Sequence, residues 1–483
     1  MSKSITYEDI INQLGEDIFA LIEEFEEMMM NDSEVDISEI TEKMLKLFNG
    51  YGRKLIENFF RDKDEEIKDS PERLKDGWKV ERNGDKKELV TVFGKVELVR
   101  TYYYRETAGG KEYKYLADEA FCLAKYQRLE PLVEAGLLDR AADNSYRKSG
   151  KGAVGDVEIS DTTVMNKVHE LEEDMNDFIR EKRSEEEKRE VSTIYIEADE
   201  DHVSLQKGEN EISRLVYIHE GYKEDSSGDS DSDSKLKNAY YIAGAYKESS
   251  ELWLEVADYL HETYNLEKVE DIFIGGDGAR WIKEGLEWIP ESKFILDPYH
   301  LNKYVHKATG HAEKFRFHLW EILNAANKDK LSIIFSELLM EAEEESRKKE
   351  VRKAKRYIYN NWEGIKNLTT NNKAIKPSAE GHVSHILADR LSSRPMGWSR
   401  TGMDRMSRLR AFRFNGGDRN GILELIRRNR REKRVEDTVK KVAGGSTYKS
   451  SLTSALGARK QNIPALKKGK RNALYHIMWG ASR

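Results

Sequence analysis

The sequence predicts an α/β protein whose central sheet is interrupted by an all-helical insertion and preceded by helices and a β-hairpin. Three observations predict this class. Apolar residues recur at helical spacing in 5–62 and 128–185, they follow strand patterns in 77–104, and strand and helix patterns interchange from residue 192. At 483 residues the chain is too long for one ordinary domain.

Composition excludes several classes of protein. Hydrophobic residues make up 38% and charged residues 35%, which is polar but still sufficient for a core. No apolar stretch approaches the roughly 18 residues of a membrane span, and the acidic amphipathic start does not resemble a signal peptide, so we predict a cytoplasmic protein without a membrane partner. Cys122 is the single cysteine, which excludes an internal disulfide and a thiolate zinc cluster.

Charge is distributed unevenly along the chain. Residues 401–483 hold 21 Lys and Arg against 6 Asp and Glu, which gives a net charge of +15. Because the whole chain has a net charge of −8, residues 1–400 have a net charge of −23. A basic segment of this size favours a polyanionic partner, most often nucleic acid, because each cation beside a phosphate releases counterions. A solvated basic tail without a partner is the alternative.

The N-terminal half divides into three predicted regions. Residues 1–75 form a helical region with two or three amphipathic helices. Residues 76–125 form a β-hairpin region, because β-rich runs at 88–93 and 96–102 flank Gly94. Residues 126–187 contain three helical segments whose spacing suits a helix-turn-helix DNA-binding domain.

In such a domain the third helix reads DNA, and Ser160 is its expected N-cap. An ordinary helical hairpin explains the same pattern. The residues of this region that we expect to contact DNA are Arg147, Lys148, Thr162, Thr163, Asn166 and Lys167.

Residues 188–299 predict the first part of an α/β core. The strand candidates are 192–198, 212–219, 238–246, 271–274 and 293–296, with helices at 250–264 and from 279. The first three strands are expected to be antiparallel, and crossover helices lead to the last two. This order is typical of a ribonuclease-H-like core. Residues 224–234 contain no apolar side chain and predict a disordered loop. Their alternating carboxylates lack the Gly and terminal Glu placement of a calcium loop, so a solvated tip is the favoured interpretation.

The C-terminal half continues this plan. Residues 300–376 carry only helical, highly charged patterns and predict the insertion, residues 377–415 the last part of the core, and residues 416–483 a basic tail.

Three acids stand where a core of this kind gathers carboxylates. Asp199 ends the first predicted strand, Asp277 follows the fourth, and Glu380 lies in the first turn of the helix after the insertion. Together they could hold two Mg²⁺ (or Mn²⁺) ions about 4 Å apart, one activating the attacking water or 3'-hydroxyl and the other stabilising the leaving oxygen. Acids at strand ends are ordinary in a chain with 89 of them, and Glu380 also suits a helix N-terminus.

Four ordered blocks carry a resemblance to a known family. They contain Glu-Ala-Asp199, Gly-Gly-Asp277-Gly, Asp297-Pro-Tyr-His300 and Ser-Ala-Glu380-Gly-His382. In these blocks the chain resembles the ISLre-type insertion-sequence transposases, a group classed as an uncharacterised bacterial protein family with Mutator-like relatives. The resemblance implies a DDE transposase with a ribonuclease-H-like core and a helical insertion before its last acid. It makes Asp199, Asp277 and Glu380 the metal ligands.

One block departs from the Mutator-type pattern, which usually has Cys-x-x-His after the second acid. Here Asp297 replaces the cysteine, and we expect His300 to be a catalytic residue that orients a phosphate or the attacking water. An ordinarily packed histidine is the alternative. Asp201, Asp297 and His382 are possible auxiliary ligands, and Asp201 rivals Asp199 because alternate strand positions share a face.

A basic aromatic stretch follows the third acid. Within it Arg394 and Trp398 are expected to grip the phosphate backbone or stack on a flipped base. Alternatively, Trp398 packs against the end of a helix.

These features predict a cytoplasmic, nucleoid-associated DDE transposase. We expect it to bind the inverted-repeat ends of an insertion sequence, cleave phosphodiester bonds and transfer 3' ends to target double-stranded DNA, as a homo-oligomer on DNA. The alternatives are a non-catalytic DNA-binding protein derived from a transposase, and a metal-dependent nuclease without strand transfer.

Overall fold

The computed structural model describes residues 7–30, 36–107, 109–155, 157–172, 175–184, 187–223, 236–394 and 396–442. The acidic stretch 224–234 and the tail beyond residue 442 lie outside these ranges. The chain forms two compact units, Met1–Lys167 with Arg419–Arg427, and Val168–Asp418 with Arg428–Arg483. The division between Lys167 and Val168 falls inside the region 126–187 that the sequence predicts as one domain.

The first unit begins with the helices that apolar spacing predicts. They are α1 (Tyr7–Met30), α2 (Ile37–Asp69) and the short α3 (Pro71–Lys75). Asp36 caps α2 by accepting a hydrogen bond from the amide of Ser38.

A three-stranded antiparallel sheet follows, formed by β1 (Lys79–Thr91), β2 (Gly94–Thr107) and β3 (Gly110–Lys114). The predicted hairpin is confirmed, since Thr91 pairs with Gly94 across its turn. Gly94 has a φ of 109°, a backbone conformation that glycine adopts without strain. The sequence did not predict β3, which is only five residues long.

Between this sheet and α4 (Leu116–Ala120) lies a buried group of three charges. Oδ2 of Asp118 is 3.2 Å from the ammonium of Lys87 and 2.7 Å from the guanidinium of Arg100. All three side chains are less than a tenth exposed. Burial lowers the pKa of Lys87, and the charge of Asp118 opposes that shift.

The remaining helices of the predicted helix-turn-helix region are α5 (Pro131–Asp143), α6 (Tyr146–Gly150), α7 (Asp161–His169) and α8 (Met175–Ser184). Ser160 caps α7 as predicted, because its hydroxyl accepts a hydrogen bond of 3.2 Å from the amide of Thr163. α6 has only five residues.

The sheet of the second unit has the five strands that the sequence predicts. Its elements in chain order are β4 (Thr193–Ser204), β5 (Asn210–His219), β6 (Tyr240–Gly244), α9 (Ser249–Thr263), a 3₁₀ turn (Leu266–Lys268), β7 (Asp271–Gly276), α10 (Arg280–Lys283), α11 (Gly285–Trp288) and β8 (Lys293–Leu296). The strand order is β6-β5-β4-β7-β8. β5 is antiparallel to both of its neighbours, β4 and β6, whereas β7 and β8 run parallel to β4.

The helices that the sequence predicts after the fifth strand of this sheet are also present. They are α12 (Pro298–Thr309), α13 (Lys314–Asn324), α14 (Lys328–Glu341), α15 (Glu345–Asn360) and α16 (Trp362–Thr370). After it come α17 (Ala379–Val383), a π-helical turn (Ser384–Ala388), α18 (Asp389–Leu391), α19 (Arg400–Phe414) and α20 (Arg419–Val442). No helix within the described ranges has both the length and the apolar character needed to cross a membrane.

Side-chain amides occupy both edges of the five-stranded sheet. At the β8 edge, Asn367 donates a hydrogen bond of 2.9 Å to the carbonyl of Phe294. At the β6 edge, the amide of Asn415 accepts from the Tyr241 N–H at 2.7 Å and donates to the Tyr241 carbonyl at 2.8 Å. These contacts satisfy backbone groups that an additional strand would otherwise pair with.

Substituting Asp118 by Ala tests the buried charge group of the first unit. We expect Asp118→Ala to lower the free energy of unfolding by about 3–5 kcal/mol, because it leaves two buried cations without their carboxylate. Urea unfolding and hydrogen exchange of the β1 and β2 amides measure the change.

Glu119→Ala is the matched control. Glu119 pairs with Lys114 at 2.7 Å but is 56% exposed, so its loss should cost less than about 1 kcal/mol. Equal effects of the two substitutions would show that the buried group contributes no more than a surface ion pair.

Candidate active site at the ends of the parallel strands

The register of the three parallel strands places three carboxylate residues at one level. Glu197 of β4 pairs with Gly275 of β7, so Asp199 and Asp277 each follow that pair by two residues. Leu296 of β8 pairs with Gly276, and Asp297 and Asp277 are the next residues of these two chains. Asp199, Asp277 and Asp297 therefore come at the same step along β4, β7 and β8.

The predicted position of Asp199 needs one correction. The sequence predicts that Asp199 ends its strand, whereas β4 continues to Ser204 because it remains paired with β5 as far as Asn210. Glu197 is the last residue of β4 that pairs with β7. Asp199 thus lies in the middle of a strand, just beyond the point where the parallel neighbour ends.

The turn that carries Asp277 is held on several sides. A Cβ at Gly276 would lie 2.8 Å from the carbonyl oxygen of Ala198, and Gly278 has a φ of 87°. The carboxylate of Asp277 accepts a hydrogen bond of 2.7 Å from the amide of Ala279. From α15, the hydroxyl of Tyr357 donates to the Asp277 carbonyl at 2.6 Å. These contacts fix the positions of both the backbone and the carboxylate of Asp277.

Asp297 holds His300 in place. One carboxylate oxygen accepts from the amide of Tyr299 at the start of α12, and the other is 2.7 Å from Nδ1 of His300. That hydrogen bond raises the pKa of His300, burial opposes the shift, and the charges of Asp297, Asp277 and Asp199 add to it. Asp297 therefore caps α12 and orients His300.

A buried carboxylate brings the segment before α17 onto the sheet. Glu197 is 2% exposed, and its carboxylate accepts hydrogen bonds from the hydroxyl of Tyr217, from Nε2 of His219 at 3.0 Å and from the amide of Ser378 at 2.5 Å. Pro377 covers Gly275, where a Cβ would lie 2.7 Å from the proline ring. These contacts place the start of α17 over the face of the sheet that carries Glu197.

Glu380 is the second residue of α17, the helix whose preceding residue Ser378 binds Glu197. The side chain of Glu380 lies outside the described part of the chain. Among the side chains that the structure does describe, no three His, Cys, Asp or Glu are gathered as metal ligands.

The segment that begins at Ser378 also contacts β4 at a second point. The hydroxyl of Ser392, just after α18, donates to Asp201 at 2.9 Å. Asp201 is 9% exposed, and burial raises its pKa. Along β4, Asp199 lies between Glu197 and Asp201, the two residues that bind this segment. Asp199 is level with Asp277, whereas Asp201 lies two residues further along, so the register favours Asp199 over Asp201 as the partner of Asp277.

The expectation that His382 is an auxiliary ligand needs correction. Its ring packs against Tyr217 at a centroid distance of 4.4 Å, and its Nδ1 is 3.4 Å from the hydroxyl of Tyr241. Burial lowers the pKa of His382. Tyr217 and Tyr241 belong to β5 and β6, on the side of β4 opposite to β7 and Asp277. His382 packs the helix onto the sheet.

The residues expected to contact DNA differ in exposure. Arg147, Lys148, Thr162, Asn166 and Arg394 are exposed. The hydroxyl of Thr163 is 2.8 Å from that of Ser160, within the cap of α7, and Lys167 forms an ion pair of 3.4 Å with Glu134.

Trp398 is buried and does not present its ring to a partner. It is 5% exposed, its indole N–H donates to the carbonyl of Leu391 at 2.9 Å, and the guanidinium of Arg390 lies over the ring. The prediction that Trp398 stacks on a base is corrected, because a ring enclosed in this way packs a helix end instead.

Comparison with known proteins identifies the family. The profile of "Uncharacterised protein family (UPF0236)" matches residues 30–428. The chain belongs to UPF0236. Two UPF0236 proteins of Caldanaerobacter subterraneus subsp. tengcongensis are 40% identical over 99% of this chain and 98% of the relative, and 41% identical over 92% of each. The first of these carries a name that joins eleven loci.

A more distant relative comes from Streptococcus gallolyticus. It is named "UPF0236 protein in vanSb 3'region" and is 26% identical over 74% of this chain and 77% of its own length.

Sequence reasoning missed two positioning residues of this UPF0236 protein, Glu197 and Tyr357. Glu197 gave only a weak signal, as an acid two positions before Asp199 in a strand with the apolar residues Ile194, Ile196 and Ala198. Those residues face the other side of the sheet, so they do not show that Glu197 is buried. Tyr357 gave no comparable signal, since its contact with Asp277 spans 80 residues.

Substituting Asp297 by Asn tests how His300 is held. We expect Asp297→Asn to lower the pKa of His300, because the amide can still cap α12 but removes the negative charge. A raised pKa in the folded state stabilises the protein below the unfolded pKa, and this stabilisation disappears as pH rises through the folded pKa. The stability difference between the variant and the wild type should therefore be largest at acidic pH.

The measurement is an NMR titration of histidine Cε1 protons, with His300→Gln identifying the resonance. Glu267→Gln, at an exposed acid outside this cluster, is the control and should leave the pKa unchanged. An unaltered His300 pKa in Asp297→Asn would refute the assignment of Asp297 as its partner.

Glu197→Gln tests the anchor of α17. The amide cannot accept all three donors of the carboxylate, so we expect local destabilisation of about 2–4 kcal/mol around residues 378–388. Hydrogen exchange by mass spectrometry should show faster exchange there. Glu209→Gln, at an exposed acid after β4, should exchange like the wild type. Unchanged protection of residues 378–388 in Glu197→Gln would contradict the anchoring role.

Proposed function

We propose that this UPF0236 protein is a DDE transposase that binds the inverted-repeat ends of an insertion sequence, cleaves phosphodiester bonds there and transfers the 3' ends to target DNA. One observation carries the proposal. Asp199 and Asp277 stand level on adjacent parallel strands, and Glu197 anchors the helix of Glu380 across the same face of the sheet.

The strand order supports this proposal. A sheet of three antiparallel strands, continued from its first strand by two parallel ones, is the arrangement of a ribonuclease-H-like core. The helical insertion stands between the fifth strand and the helix of the third acid, as the resemblance to ISLre-type transposases implies. We therefore assign the second unit as the catalytic part.

The donor chemistry of the site fits divalent cations with hard-oxygen preference. Asp199 and Asp277 offer carboxylate oxygens, and Glu380 is the third acid beside them. Two Mg²⁺ or Mn²⁺ ions held by Asp199, Asp277 and Glu380 would activate the attacking oxygen and stabilise the leaving oxygen.

The neighbouring residues of the protein orient the reacting groups. Nδ1–H of His300 donates to the carboxylate of Asp297, which leaves Nε2 to contact a phosphate oxygen. Its raised pKa favours the protonated form, and a cation is the better partner of a phosphate. Tyr357 fixes the backbone of Asp277, so that the carboxylate keeps its direction when DNA binds.

The names of relatives add support from another direction. One relative has a name that joins eleven loci of a single genome. Such a name is expected when one gene has been copied to many chromosomal positions, as transposition does. The exposed Thr162 and Asn166 on α7, with Arg147 and Lys148 on α6, remain our candidates for reading the element ends.

Asp277→Asn separates catalysis from binding. We expect it to reduce cleavage of element-end DNA in Mn²⁺ at least about 10³-fold, because a lost metal ligand removes several kcal/mol of transition-state stabilisation. Binding of the same DNA, measured by fluorescence anisotropy, should stay within about threefold of the wild type. Glu267→Gln is the control for both assays.

Cleavage that persists in Asp277→Asn would contradict the assignment. Joined strand-transfer products distinguish a transposase from a nuclease without transfer. At the level of DNA, short inverted repeats flanking the gene, with a small duplication of host sequence outside them, are the expected signature.

A further inference from the structure

The solvent face of α15 carries a dense group of cations. Residues 346–356 contain seven Lys and Arg against a single acid, Glu350. Five of these cations are exposed, and four of the five lie on one stripe, since they are separated by three, one and three residues. We call them the α15 stripe: Lys349, Arg352, Lys353 and Arg356.

Ordinary helix stabilisation does not account for this stripe. Cations favour the last turn of a helix, where they complement the dipole, but α15 has no basic residue in its last turn. Within the described ranges, Lys349, Lys353 and Arg356 make no ion pair. Arg352 pairs with Glu345, and both side chains are more than half exposed.

The stripe also opposes the stability of its own helix. Lys349 and Lys353 are four residues apart, as are Arg352 and Arg356, and like charges at this spacing destabilise a helix by about 0.2–0.5 kcal/mol per pair. A stable fold gains nothing from such repulsion. A polyanionic partner removes it, because its phosphates lie between the cations.

α15 ends at the proposed catalytic acids. Tyr357, the residue after Arg356, donates its hydroxyl to the carbonyl of Asp277. One turn later, the carbonyl of Asn360 accepts a hydrogen bond of 2.9 Å from Lys283, which follows the same Asp277 turn. The exposed cations and the acid site are therefore joined by one rigid helix.

We propose that the α15 stripe binds the phosphate backbone of double-stranded DNA and directs it to the acids at the strand ends. This assignment rests on the proposed function, and it gives the helical insertion a role in DNA binding. From Lys349 to Arg356 the helix rises about 10 Å at 1.5 Å per residue, which matches about three base-pair steps of 3.4 Å. A backbone contact of this kind positions DNA without reading its sequence.

The test uses the full chain and a random-sequence duplex of about 30 base pairs. One variant replaces all four stripe residues by Gln. The control variant replaces four exposed lysines elsewhere in the insertion by Gln, which changes the net charge equally: Lys314, Lys328, Lys330 and Lys366. Fluorescence anisotropy over a range of KCl concentrations measures the affinity and its salt dependence. Glutamine is a good helix former, so circular dichroism should show that both variants fold.

We expect the stripe variant to bind at least about tenfold more weakly. Its slope of log affinity against log salt should fall by about 3–4, since each phosphate that the protein no longer neutralises lowers the slope by about 0.9. The control should stay within about threefold of the wild type. Equal losses of affinity in both variants would overturn the proposal, because net charge alone would then explain binding. A wild-type chain that does not bind the duplex would overturn it as well.

Two further measurements separate this inference from the proposed function. If the wild type never cleaves end DNA in Mn²⁺ while stripe-dependent duplex binding holds, the transposase proposal fails and the α15 assignment stands. If the wild type cleaves and the stripe variant binds as well as the wild type, the α15 assignment fails. If the stripe variant no longer binds phosphatidylglycerol vesicles but binds the duplex as tightly as the wild type, the stripe is a membrane-binding surface. That result would overturn the proposal.

Discussion

The site depends on how the buried charge of Glu197 is satisfied. A carboxylate that water does not reach must find its hydrogen-bond donors within the protein. Two donors come from the adjacent strand β5, and the third is the backbone amide of Ser378, 181 residues away in sequence. Because this amide belongs to the segment before α17, satisfying one buried charge also determines where the helix of Glu380 meets the sheet.

His219 fits the same requirement. The amide of Gly221 lies 3.2 Å from Nδ1 of its ring, and Nε2 lies 3.0 Å from the carboxylate of Glu197. On the other side of Asp199, Asp297 both caps α12 and holds His300, so that one acid begins a helix and orients a ring.

Much of the fold could be predicted from local patterns. The hairpin around Gly94 and the five strands of the second unit are apolar runs bounded by turn residues, and sequence shows such runs directly. The end of β4 could not be predicted, because residues 199–204 are mostly polar and are held in the strand by pairing with β5. Asp199 and Asp277 could be predicted as site residues because they were expected at strand ends. The anchoring role of Glu197 could not be predicted, because it depends on where the amide of Ser378 lies in the folded chain.

Single residues were harder to predict than elements. The sequence around Trp398 is compatible with packing against a helix end and with stacking on a base. Its contacts with the carbonyl of Leu391 and the guanidinium of Arg390 show that it packs. His382 likewise follows Glu380 by two residues but faces the tyrosines of β5 and β6. On a helix, two residues of separation change the direction of a side chain by about 200°, so proximity in sequence is a poor guide.

The amides of Asn367 and Asn415 have a consequence for newly made chains. Each occupies backbone groups at a border of the central sheet, where a strand from another molecule would otherwise add on. Two ordinary side chains thereby end the growth of the sheet at five strands. Neighbouring copies of the chain are therefore less prone to join through these edges of the sheet.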